Sequence, residues 1–247
     1  MDEGRGQGDA RALLRKTTRP VYDVLMSPEN LEDRVVYYSK AEELANRFTH
    51  GFGALLSIVA LFALIDVASA QNDTHRFFSA WIYGGALVTF YCLSTAYHSV
   101  KKPHIRYLFR ILDHISIYLM IAGSYTPFAL VTLRGTRGWG LFWTVWGLGT
   151  VGAIFKIFTV HRLRVIGPLL YVALGWIVLI VLKPLAASLA APGLALLFIG
   201  GAAYTIGVIF YLWDRLPFNH AIWHVFVLTG SACHFWAIFH YVTPIRF

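Results

Sequence analysis

The sequence predicts an all-α polytopic membrane protein, a bundle of seven transmembrane helices with its N-terminus in the cytoplasm. Three observations predict it. The composition is 57% hydrophobic and only 14% charged. Seven separate apolar windows are each long enough to cross a bilayer. The cations are divided unevenly between the two sets of connecting segments. A mean hydropathy of +0.58 over 247 residues exceeds what a soluble domain of this size exposes to water. The apolar runs nearly fill the chain from Gly51 to Tyr241, which leaves room for one integral domain and no second globular unit.

The chain opens on MDEGRGQGDARALLRKTTRP, polar and rich in Gly and Arg, which reads as a mobile tail over residues 1–20. The first 40 residues lack the apolar stretch and small-residue cleavage site of a signal peptide, so the first spanning helix is expected to be the insertion signal. Residues 21–50 mix apolar and charged side chains, which suggests a short helix at the membrane surface and a lead-in to the bundle. The transmembrane domain then occupies 51–247. Its windows fall at about 51–70, 78–99, 111–132, 138–158, 164–183, 192–213 and 220–241. The breaks are QNDTHR, KKPHIRYLFR, RGTRG, HRLR, the Lys183-Pro184 turn and DRLPFN.

Of the 21 Lys and Arg residues, 16 fall on the side of the N-terminus, which the positive-inside rule assigns to the cytoplasm. The C-terminus is then outside. The net charge of +8 is accordingly a topology signal, and no nucleic-acid partner is expected. Cys92 and Cys233 lie in apolar segments, where a thiol acts as a small hydrophobe, so no structural disulfide is expected.

Ionisable groups within spans are expensive, which makes each a candidate site residue. Ser94 and His98 stand at i and i+4 near the end of helix two, and Asp113 opens helix three. His220 and His224 open helix seven at a spacing that aims both imidazoles the same way. The end of helix two and the starts of helices three and seven share the cytoplasmic side, so these groups can meet in one layer. Three imidazoles with an acid able to hold a water form the ligand set of a catalytic zinc site with one open position. The residue types leave iron and manganese open. An HxxxH pair alone is more often packed than ligating, and the convergence of four groups favours metal.

Glu43, Asn46 and His50 share a face of an early helix, where they either buttress the ligands or cap a helix start. His114 points about 100° away from Asp113 and stays outside the ligand set. His234 lies roughly 21 Å beyond His220 along helix seven, too far for the same ion, and reads as a hydrogen-bonding group between helices. Ser124, Tyr125, Thr126 and Pro127 put polar groups and a kink into helix three, lining a cavity or a packing bend. Trp139, Trp143 and Trp146 read as an aromatic belt. Gly147, Gly149, Gly152, Gly200 and Gly201 read as close-packing positions.

The same motifs carry a resemblance. Glu43-x-x-Asn46-x-x-Thr49-His50, STAYHS around Ser94 and His98, LDHISIYLMIAGSYTPF around Asp113, and HAIWHVFVLTGSACHF around His220 and His224 occur in order. Over Glu43 to Tyr241 the chain resembles the hemolysin III branch of the progestin and adipoQ receptor family. The resemblance implies a multi-pass protein of the bacterial inner (plasma) membrane. It also implies a zinc ion at the cytoplasmic side held by His98, His220 and His224, with Asp113 holding a zinc-bound water and Ser94 beside it. The family is similar to alkaline ceramidases, which implies hydrolysis of a lipid amide or ester drawn laterally from the bilayer, with membrane lipids as partners. The competing expectations are a receptor or membrane-homeostasis sensor with structural zinc, and a pore-forming cytolysin. No long amphipathic segment suited to insertion on demand is present.

Overall fold

The computed structural model describes Leu31 and residues 34–244, so the expected N-terminal tail and residues 21–30, 32 and 33 of the expected surface segment lie outside the described residues. Within them the protein is all-helical, with seven helices long and apolar enough to cross a membrane. These are α1 (Lys40–Ser69), α2 (Thr74–Ser99), α3 (Pro103–Leu133), α4 (Gly135–Thr159), α5 (Ile166–Ser188), α6 (Ala191–Leu212) and α7 (Asn219–Tyr241). Sequential neighbours α1 and α2, α2 and α3, α3 and α4, and α6 and α7 pack side by side, and α7 returns against α1. The protein is a multi-pass integral membrane protein.

The helix starts are chemically defined. Ser39 and Glu42 form a capping box at α1, with the Ser39 Oγ accepting from the Glu42 N–H (3.3 Å) and Glu42 Oε2 from the Ser39 N–H (3.0 Å). That cap starts α1 at Lys40 rather than near Gly51, so the residues expected in a surface lead-in form the first turns of the first span. Helix α3 starts equally early, with Pro103 in its first turn and Lys102 held extended before it.

Helix α3 is the centre of the bundle: 72% of its apolar window is buried, against 22% in α1, α4 and α5. The outer faces of those peripheral helices present Phe48, Leu55, Phe62, Trp143 and Ile180 to the surroundings, which is stable only where the surroundings are lipid. Trp146 departs from the expected belt: it is partly buried and its Nε1–H donates to Thr126 Oγ1 (3.1 Å), tying α4 to α3. Gly147 also departs, facing open space, whereas a side chain at Gly138 would collide with the Ala129 carbonyl.

Two spans are irregular, each for a local reason. Pro127 lacks an N–H, and the chain beyond it widens into a π-helical turn over Phe128–Leu133. Helix α5 continues through the expected break at Lys183-Pro184 but tightens to 3₁₀ geometry over Trp176–Val181. The Tyr125 hydroxyl enters this segment, donating to Gly175 O (2.6 Å) and accepting from Val178 N–H (2.8 Å). It supplies hydrogen bonds that lipid cannot.

At the end of the bundle away from the α1 start, Asp73 caps α2 and gathers two arginines. Its carboxylate accepts from the backbone N–H of His75 and Arg76, from Arg76 Nε (3.1 Å) and from Arg134. Arg76 in turn donates to the carbonyls of Val242, Thr243 and Pro244 just beyond α7. Burial alone would raise the Asp73 carboxyl, but the hydrogen bonds and charges of Arg134 and Arg76 outweigh it and hold the group below the usual carboxylate range. A depressed folded value contributes stability above the unfolded value of ~3.9, and that contribution is lost as pH falls through the folded value. Asp73→Asn keeps the cap but removes the charge, so it is expected to lower the melting temperature at pH 7 by about 2–4 °C, on the scale of ~1 kcal/mol. The gap should narrow as the pH is taken below about 4; a gap that is constant from pH 7 to pH 3 would contradict this role.

Candidate metal centre

The first three turns of α1 organise the site. Glu42, Glu43, Asn46, Thr49 and His50 recur at helical spacing, so they form one face turned towards α2 and α7. Glu42 Oε1 accepts from the N–H of Phe218 (3.0 Å), the left-handed residue that precedes α7. One turn past His50, Gly53 lets α1 pack closely: a Cβ there would lie 2.6 Å from the Tyr91 ring and 2.9 Å from Leu228.

Against that face stand His98 at the end of α2 and His220 and His224 in the first turns of α7. All three are buried, and one ring nitrogen of each lies within 4.8 Å of the others. Among the described residues no other cluster of three metal-ligating side chains forms.

The hydrogen bonds determine which nitrogens face inward. His98 Nδ1 lies 2.9 Å from Glu43 Oε2. A carboxylate only accepts, so Nδ1 carries the hydrogen, and Nε2 is left buried with no partner. The Thr49 hydroxyl donates to the Ala45 carbonyl (2.9 Å) and therefore accepts from His224 Nδ1–H (3.1 Å), which turns the His224 Nε2 lone pair inward. Tyr38 stacks on His220 (ring centroids 4.9 Å apart). A buried, unpartnered imidazole nitrogen beside two further imidazoles is a donor set that fits a zinc ion, with the Nδ1 atoms of His98 and His224 held as those of metal-binding histidines usually are.

His50 lies face to face with His224, ring centroids 3.5 Å apart, and its Nδ1 is 2.7 Å from Ser94 Oγ. Asn46 is fully buried beside them with neither side-chain polar atom partnered. Asp113 is buried in α3. Together with Ser94, His50, His220 and His224 it lines a cavity of about 30 Å³, room for one or two waters. Asp113 does not open α3 as expected: the helix starts at Pro103, and the carboxylate sits about 15 Å along it. It stands outside the three-histidine cluster and lines the same cavity.

His114 also borders this cavity, with its Nδ1 2.8 Å from the Arg110 carbonyl. His234 is remote from the cluster and bonds the Leu197 carbonyl of α6 through Nε2 (3.1 Å), the helix-to-helix contact expected of it.

Three contributors were not singled out from the sequence: Tyr38, Thr49 and Arg106. Thr49 sits inside the α1 motif but has no chemistry that marks it. Arg106 reads as one more topology cation, yet it is 2% exposed and bonds Glu43. Its seven-residue spacing from Asp113, two turns on one face of α3, is the signal that pointed inward.

A second, larger cavity of about 110 Å³ lies deeper in the bundle, and its lining includes Met120, Ser124, Tyr125 and Phe128. Phe90, Ile117, Tyr171 and Trp223 line both cavities. The small polar space at the histidines thus shares its floor with an apolar chamber.

Comparison with known proteins identifies the family. The model of the family described as Haemolysin-III related matches residues 38–235. Hemolysin-3 of Bacillus cereus is 48% identical over 203 residues, covering 82% of this chain and 93% of the relative. The Hemolysin-3 homolog of Bacillus subtilis (strain 168) is 44% identical over 206 residues, covering 83% and 97%. The human Monocyte to macrophage differentiation factor is 33% identical over 207 residues, covering 81% and 84%. No solved structure matches. The chain belongs to the haemolysin-III related family, the branch its four ordered motifs resemble.

Proposed function

We propose that this protein binds one zinc ion at His98, His220 and His224 and hydrolyses an amide or ester of a membrane lipid, with Asp113 and Ser94 as its catalytic groups. The observation that carries the reading is His98 Nε2: buried, unpartnered and turned to the other two imidazoles by Glu43. Leaving such a nitrogen without a partner costs about 1–3 kcal/mol, and a bound cation removes that cost. Bound there, zinc would lower the pKa of water towards ~7 and polarise a carbonyl.

The protein's own groups supply the rest. Asp113 lines the cavity and accepts the proton of a water held there. Ser94 lines the same cavity and donates a hydrogen bond to the oxyanion that develops on the attacked carbonyl. The apolar chamber below suits an acyl chain, which favours a lipid over a water-soluble substrate. Tyr38, laid flat over His220, shields the cluster from the end at which α1 begins, so the substrate enters from the bilayer side.

The excess of Lys and Arg on the N-terminal side supports a site at the cytoplasmic face of the plasma membrane. Single cysteines at Lys101, Lys102 and Arg164 should resist an impermeant thiol reagent in intact cells, and one at Arg137 should react. Reaction at Lys101 with protection at Arg137 would invert the topology.

Purified protein should carry about one zinc per chain, and His98→Ala or His224→Ala should lower both occupancy and melting temperature. His234→Ala should leave occupancy unchanged. Full zinc in either site variant would show the ligand set to be wrong, and absence of zinc in the parent would leave a cytolytic reading, as the bacterial relatives' names suggest, ahead of both zinc readings.

Asp113→Asn should keep most of the metal and lose hydrolysis of ceramide-like and ester lipids by roughly 100-fold or more. Parental turnover by this variant would refute the mechanism. A parent that binds zinc and releases no fatty acid from any lipid offered would favour a receptor or sensor in which zinc ties α2 to α7.

A further inference from the structure

Arg106 lies outside the metal site but is built into its support. It is 2% exposed, in the first turn of α3, and each nitrogen of its guanidinium has an acceptor. Nε donates to the Val36 carbonyl (3.0 Å), Nη1 to the carbonyls of Tyr97 (3.3 Å) and Val100 (3.0 Å), and Nη2 to Glu43 Oε1. The rings of Tyr97 and Tyr37 lie 4.7 and 5.0 Å from its central carbon. A cation serving only as a topology signal stays in water and leaves its donors to solvent. This one is locked by four carbonyl and carboxylate contacts and two rings.

The two Glu43 oxygens divide the work. Oε1 takes the Arg106 bond and the Tyr38 N–H (3.4 Å), and Oε2 takes His98 Nδ1. We infer that Arg106 is a positioning residue for the metal site, acting through Glu43 to hold the His98 imidazole with Nε2 turned to the ion. Without the guanidinium, Oε1 keeps only the long Tyr38 contact, and the carboxylate is free to rotate about its terminal torsion away from His98. With Arg106 buried and Glu43 half-buried, the pair adds little net stability, because desolvation of the guanidinium offsets its attraction. Its consequence is orientation: one guanidinium fork fixes one carboxylate plane, which fixes one imidazole. The inference rests on the zinc reading of the three histidines.

The test is a double-substitution cycle read as zinc affinity by chelator competition on the full chain in detergent, with melting of the metal-free proteins followed in parallel. Arg106→Gln and Glu43→Gln should each weaken zinc binding by about 10–100-fold. Because Arg106 acts through Glu43, adding Arg106→Gln to Glu43→Gln should weaken it no further. Arg106→Lys, which keeps the charge but not the fork, should regain only part of the affinity and shift the visible spectrum of the cobalt-substituted protein. If Arg106→Gln does not fold, the cycle is run with Arg106→Lys. A merely structural arginine predicts a lower melting temperature with unchanged zinc affinity, or losses that add across the cycle, and either result overturns the inference. A parent without zinc overturns the metal reading itself; a parent with zinc and an Arg106→Gln variant of equal affinity overturns only the role of Arg106.

Discussion

The hydrogen bond between Glu43 and His98 is the constraint around which the ligand end of the bundle is arranged. A buried imidazole beside a half-buried carboxylate is stable only when its polar atoms are answered, since unpaired polar groups away from water are expensive. Here the answers come from three helices. Glu43 belongs to α1, His98 to α2 and Arg106 to α3. Each satisfies the next, and of these three residues it is His98 that keeps a buried nitrogen, Nε2, without a partner. The remaining α1 contacts repeat the pattern, with Glu42 on the start of α7, Thr49 on His224 and His50 on Ser94. The early capping of α1 at Ser39 is what makes this possible, because it extends a bilayer-length helix far enough to deliver a polar face.

The rest of the bundle follows from the bilayer as solvent. A buried central helix can carry a proline only if the neighbourhood is adjusted, and α3 responds to Pro127 with a widened turn. The tightened segment of α5 receives the Tyr125 hydroxyl, from a residue just ahead of that widened turn of α3. These two irregular spans flank the apolar chamber, since Tyr125, Phe128, Gly175 and Val178 all line it. Departure from regular helix thus coincides with the apolar chamber, where non-ideal backbone at membrane depth is buried in protein.

Much of this was legible in the sequence because the relevant signals are local or periodic. Seven apolar windows, the HxxxH spacing at His220 and His224, and the Ser94/His98 pair each need only helical geometry to read. The helix starts were harder. Hydropathy marks where a helix becomes apolar, whereas Ser39 and Pro103 mark where it begins, and in α1 and α3 the two are separated by about two to three turns. That offset turned the Glu43–His50 face into a surface lead-in and made Asp113 a helix opener. Arg106 was obscured for a different reason. In a membrane protein a basic residue beside a span is ordinarily a topology signal, and only the three-dimensional pairing with Glu43 distinguishes a buried guanidinium from one in water. Likewise Trp146 shares its spacing with Trp139 and Trp143, and only the Thr126 contact separates it from the exposed pair.

X-ray absorption at the zinc edge of the purified, full-length protein tests the central claim most directly, because it reads the ligand set without requiring a substrate. Three imidazole nitrogens at about 2.0–2.1 Å, with one further light-atom ligand and no sulfur, is the expected first shell. A shell containing sulfur at about 2.3 Å, fewer than three imidazoles, or no zinc edge in the purified protein would contradict it.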